Sequence, residues 1–256
     1  MLMKVSGVIA LGVIVLACLA CNSKPGANST PASPNAGPSS SSDFKSLFFA
    51  DQSLQQVSEM AKPGVPAGQP DPWSLFASAL AASRDGNAAQ AKTDLKKILD
   101  IPDGESRVQL WAWKALRDLG EKPPADIADE LQGVVCELHN DAGVGTIAAY
   151  VDGRARWQGG PDKKIVWDAA NTDAGIDRLI YELLKASQPL ITRASLSEVH
   201  KTPEPAAEYF RVSLLTFGGI RTVEVFGPDI VEDHPLAPAL VSSGKLVDAL
   251  AKRTTK

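Results

Sequence analysis

Residues 209–226 read YFRVSLLTFGGIRTVEVF. Two runs of alternating apolar and polar residues flank Gly218-Gly219, the pattern of a β-hairpin closed by a two-residue loop. That loop pairs Leu214 with Val223 and Val212 with Val225, so these four side chains share one apolar face. The opposite face pairs Ser213 with Glu224 and Leu215 with Thr222, and sets Arg211 diagonal to Glu224. One side of this sheet is expected to be core and the other partly wet.

Working outward from the hairpin, the same period of two recurs upstream. Residues 133–139 alternate Val134, Cys136 and Leu138 against Val135, Glu137 and His139, a half-buried strand. Residues 145–151 and 154–158 flank Asp152-Gly153, a type I′ hairpin signal, and 164–167 forms a further short strand. A short helix or turn is expected over 127–132. Ile176, Leu179, Ile180, Leu183 and Leu184 give an amphipathic helix capped within 171–173, and Leu240, Leu246, Val247 and Leu250 a last one. The expected fold is α+β: an N-terminal helical hairpin region, then a mostly antiparallel sheet of about six strands with two covering helices, arranged as a two-layer sandwich over residues 125–256.

The helical region precedes it. In 43–70, Phe44, Leu47, Phe48, Leu54, Val57 and Met60 recur at helical spacing before a Pro- and Gly-rich segment; the pattern fits one helix or two short ones, as a detached docking element or as the first turn of the domain. Within 71–122, Asp71 is an N-cap with Pro72 at the first helical position, and Trp73, Phe76, Ala77 and Leu80 form one face. Gly86-Asn87 breaks the pattern, and Ala88, Ala91, Leu95, Ile98 and Leu99 restart it. A third helix runs over about 105–119, ended by Gly120. The stretch Gly86-Asn87-Ala88-Ala89-Gln90-Ala91, followed by Leu95 and Ile98-Leu99, is similar to the second half of a tetratricopeptide repeat. That resemblance implies a helix pair packed small against large, with Trp73 near the family's first-helix aromatic. The first helix is longer before its glycine than the family pattern, and the chain shows one such hairpin.

The N-terminus carries an address. Lys4 precedes the apolar run 5–16, which is shorter than the roughly 20 residues a membrane-spanning helix needs and reads as the core of a signal peptide. It ends in Val15-Leu16-Ala17-Cys18, which resembles the lipobox of bacterial lipoproteins. The resemblance implies cleavage after residue 17, diacylation of the Cys18 thiol, and a bilayer as partner through the N-terminal acyl groups. Cys21 is the alternative, less suited because Cys18 would then stand three residues upstream. Residues 19 and 22 are Leu and Asn, so neither candidate is followed by the Asp that marks inner-membrane retention. A lipid-anchored envelope location follows, on the outer membrane where the host has two. Residues 18–42, almost all Ser, Pro, Gly, Asn and Ala, read as a disordered tether.

Composition narrows the function. The formal net charge is −4, and removing Lys4 with the signal peptide takes it to −4 − 1 = −5; this opposes a nucleic-acid partner. With two of the 3 cysteines beside the anchor, only Cys136 falls in the folded part, so no disulfide framework can be drawn. Cys136 and His139 have ligand-like spacing, but on a strand they point to opposite faces, and Cys136 reads as a buried small hydrophobe. Asp229, Glu232, Asp233 and His234 form an acidic loop that could serve acid–base chemistry, or simply cap the last helix. Asp168, Asn171, Asp173 and Asp177 lack the terminal Glu of a calcium loop and read as helix capping. Gly143 and Gly145 lack the remaining residues of a phosphate loop and read as a turn. No catalytic residue, metal ligand set or cofactor is expected. Trp111 and Trp113, two apart on one helix, cannot share a face; one is core and the other packs between the two regions or meets a partner, as does Phe217. The resulting expectation is a membrane-tethered envelope lipoprotein that acts as a protein-interaction module, with an envelope protein as partner. Its rival is an envelope hydrolase or metal-dependent enzyme using 229–234 with Glu137 or His139.

Overall fold

The computed structural model describes residues 46–60, 71–140, 143–160, 163–168, 171–197 and 204–254. The proposed signal peptide and tether, with Cys18 and Cys21, lie outside the described residues. The chain is α+β, with helices preceding an antiparallel sheet. The helices are α1 (Leu54–Glu59), α2 (Pro72–Arg84), α3 (Ala88–Leu99), α4 (Ser106–Asp118) and the single turn α5 (Ala125–Ala128). Strands β1 (Leu131–Asn140), β2 (Gly143–Tyr150), β3 (Ala155–Gln158) and β4 (Lys164–Trp167) follow, then α6 (Ala174–Ser187), β5 (Ser195–Ser197), β6 (Tyr209–Thr216), β7 (Gly219–Phe226) and α7 (Ala237–Thr254). The short helix or turn expected over 127–132 is the single turn α5, which starts two residues earlier and ends before β1 begins at Leu131.

The helix ends follow local chemistry. Asp71 accepts from the backbone N–H of Trp73 (3.0 Å) and Ser74 (3.2 Å), with Pro72 opening the helix. Gly86 (φ 76°) and Gly120 (φ 80°) take the left-handed conformation that closes α2 and α4. In both, the next N–H reaches back a full turn: Asn87 N donates to Ala82 O at 2.8 Å and Glu121 N to Leu116 O at 2.9 Å. Ser53 caps α1 in a reciprocal pair with Gln56.

All strand pairs are antiparallel, in the order β4-β3-β2-β1-β6-β7-β5. Six strands match the expectation; the seventh, β5, is a three-residue edge strand. The hairpin register differs from expectation by two residues: Thr216 pairs with Gly219, Val212 with Val223 and Leu214 with Arg221. The loop is therefore Phe217-Gly218. Phe217 leaves the strand to pack against Trp113, ring centroids 6.0 Å apart, and Gly218 N donates to Ala128 O at 2.7 Å. A Cβ on Gly218 would stand 2.8 Å from that oxygen. An even slip preserves side-chain parity, so Val212, Leu214, Val223 and Val225 still share a face. The other turn is not type I′. Asp152 is not left-handed, whereas Gly153 is (φ 80°), and Gly153 N donates to Tyr150 O at 3.0 Å. This is a three-residue loop with a left-handed glycine.

The two-layer expectation is corrected to three layers. Helices α6 and α7 cover one face through Val134, Cys136, Ile147, Ala149, Val212 and Leu214. The N-terminal helices cover part of the second face, where Val135, Ala148, Tyr150 and Leu215 join a core with Phe76, Leu95, Trp111 and Leu116. The reason is double-sided apolarity: adjacent residues Val134 and Val135, Ala148 and Ala149, and Leu214 and Leu215 are all fully buried. The segment before α1 belongs to this core rather than standing apart. Phe48 is fully buried, its carbonyl accepts from Tyr150 Oη at 2.7 Å, and Gln52 Oε1 accepts from Trp111 Nε1 at 2.6 Å. Gly133 makes room: a Cβ there would stand 2.8 Å from the Tyr150 ring.

Candidate functional site

Strand alternation sends Glu137, Thr146, Gln158, Arg211, Ser213 and Glu224 to the second face, which they share with Val135, Ala148 and Leu215. Register aligns most of them in one row across the sheet. Lys164 stands opposite Gln158, Gln158 opposite Thr146, Thr146 opposite Glu137, Glu137 opposite Arg211, and Arg211 opposite Glu224. Glu137 and Arg211 are buried, and their ion pair closes at 3.3 Å. Arg211 also donates to Glu224 Oε2 from Nε (2.8 Å) and Nη2 (2.7 Å). One guanidinium thus bridges a buried and a half-exposed carboxylate across three strands. Thr146 Oγ1 and Gln158 Oε1 are buried without a hydrogen-bond partner among the described residues. Further along the same face, His139 is exposed, and half-buried Tyr209 and Phe226 pair at 5.3 Å between ring centroids.

This row was only partly visible in the sequence. Parity puts Arg211 and Glu224 on the partly wet face of the hairpin and Glu137 on the side of its own strand away from Cys136, with a possible part beside the acidic loop. Their direct opposition depends on the Phe217-Gly218 turn, which the Gly-Gly signal placed one residue too late.

The residues expected to bind a partner are interior. Trp111, Trp113 and Phe217 are all buried. Helix α4 lies between the other helices and the sheet, so both of its faces are covered. Trp111 turns toward Trp73 (6.1 Å between centroids) and lies under the Arg107 guanidinium, while Trp113 turns toward Phe217. Arg117 donates to the Phe217 carbonyl, and burial pushes its guanidinium below the usual range. The second tryptophan therefore packs between the two regions, one of the two roles its spacing allowed.

The other candidates are engaged in holding the fold. In the 229–234 loop, His234 Nδ1 accepts from Leu236 N at 3.2 Å and His234 O accepts from Ala237 N at 2.9 Å, feeding the chain into α7. Asp229, Glu232 and Asp233 are exposed. Asp173 caps α6 through Gly175 N (2.9 Å) and Ile176 N (3.2 Å) and pairs with Arg253. Asp168 pairs with Arg156, and Asp177 accepts from Asn171 N at 3.3 Å; residues 169–170 lie outside the described ones. Gly143 and Gly145 sit in β2, and positions 141–142 lie outside the description. Cys136 lies on the first face, and burial pushes its thiol up to about 12. Among the described residues, no group of three His, Cys, Asp or Glu could hold a metal.

A shallow depression of about 520 Å³ lies along α7, lined by Lys245, Asp248, Ala249, Lys252 and Arg253. Its three cations outnumber its carboxylate, but the Arg253 guanidinium already pairs with Asp173. No family model, curated protein or solved structure matches the chain, so the geometry above and the sequence carry the functional reading.

Proposed function

We propose that this protein is an envelope lipoprotein, held to a bilayer by acyl groups on Cys18 (Cys21 being the alternative), whose folded part holds another envelope protein. The observation that carries the reading is Val15-Leu16-Ala17-Cys18 at the end of the apolar run that follows Lys4. Two acyl chains give stable attachment where one is marginal. None of the described helices is long and apolar enough to cross a membrane. With Trp111, Trp113 and Phe217 buried, the partner surface is assigned to the far end of the second sheet face, where Tyr209, Phe226, His139 and Glu224 reach solvent in part or in full. Aromatic rings are enriched where proteins meet, and polar or charged groups such as His139 and Glu224 suit the rim of such a contact. The hydrolase reading has no observation in its favour: His234 is engaged with the backbone and the neighbouring carboxylates stand apart in solvent.

Metabolic labelling with a fatty acid tests the anchor. Label should disappear in Cys18→Ala and persist in Cys21→Ala; label in the double variant overturns the assignment. A photo-cross-linking residue at Phe226 of the membrane-bound full chain tests the surface. It should capture one envelope protein of defined mass, with loss in Tyr209→Ser and no change in Asp233→Ala or His234→Ala. Capture indifferent to Tyr209, or a hydrolytic activity abolished by His234→Ala, overturns the binding reading.

A further inference from the structure

We draw no further inference here: the strongest candidate, the buried polar row on the second face of the sheet, where Thr146 Oγ1 and Gln158 Oε1 lie without a hydrogen-bond partner among the described residues, in line with the Glu137–Arg211 pair, carries nothing because nothing in the structure shows what covers it.

Discussion

The two faces of the sheet are built on different principles. The face under α6 and α7 packs an apolar core through Val134, Cys136, Ile147, Ala149, Val212 and Leu214, and its covering helices follow the strands they pack on. The face toward the N-terminal helices divides: Val135, Ala148, Tyr150 and Leu215 are core, while the neighbouring row Thr146, Glu137 and Arg211 is polar and also buried. An apolar face needs only area removed from water, at roughly 25 cal/mol per Å². A polar buried face is stable only where each charge finds a partner, because the desolvation of an ion in the interior amounts to several kcal/mol. The first face therefore tolerates changes of shape that keep volume, and the second depends on chemical pairing.

The largest expected effect comes from breaking that pairing. Arg211→Met removes the guanidinium between Glu137 and Glu224 and leaves the Glu137 carboxylate buried beside an apolar side chain. The expected loss is about 3–5 kcal/mol in chemical denaturation. The double variant Glu137→Leu with Arg211→Met should recover most of it, because no buried charge is then left behind. If Arg211→Met alone costs less than about 1 kcal/mol, the second face behaves as a solvated surface and the contrast fails.

Leu214 and Leu215 offer a closer comparison, since they are adjacent, fully buried and on opposite faces. Each Leu→Ala change should destabilise by about 2–5 kcal/mol, the loss of transferred surface plus the cavity left behind. Equal costs would show that the helical layer is as much a part of the folded core as α6 and α7. A Leu215→Ala cost far below that of Leu214→Ala would mean that the N-terminal helices are only loosely docked.

What the sequence made legible follows the same division. Alternation set Cys136 on the apolar side of 133–139 and Val212 and Leu214 on the apolar side of 209–226, and Asp71-Pro72 and Gly120 marked helix ends, because these signals act within a few residues. The second layer rests on partners far apart in the chain. Asp152, in the β2–β3 turn, accepts from Ser106 N at the start of α4 (2.8 Å), 46 residues away, while Glu105 makes no side-chain cap there. Arg117 reaches Phe217 across 100 residues. Polar residues at period two read as a solvent face whether water or another layer lies over them, so alternation puts Arg211 on a partly wet face although its side chain is buried. The same blindness applied to Trp113: spacing denied it a shared face with Trp111, and only the position of α4 between two layers explains why both are buried.

The smallest expected effect lies within the helical layer, and its sign can be fixed. Asp94 on α3 accepts from Ser78 Oγ on α2 (2.7 Å), Gln90 Nε2 (3.0 Å) and Lys97 Nζ (2.9 Å). These hydrogen bonds, led by Ser78, hold its carboxyl below the ordinary carboxylate value. A carboxyl with a lowered folded value stabilises the fold above the ordinary value, about pH 4, and its contribution fades as pH falls through the folded value. Asp94→Asn keeps one acceptor oxygen but turns an amide donor toward donors on Gln90 and Lys97, so it should cost about 1–2 kcal/mol at neutral pH. The difference between parent and variant should be flat from pH 7 to about 5 and shrink below about 4. A difference that persists unchanged at pH 2 would assign the effect to shape rather than charge. The α2–α3 contact would then be of the same apolar kind as the face under α6 and α7, and the contrast would narrow to the Glu137–Arg211 row.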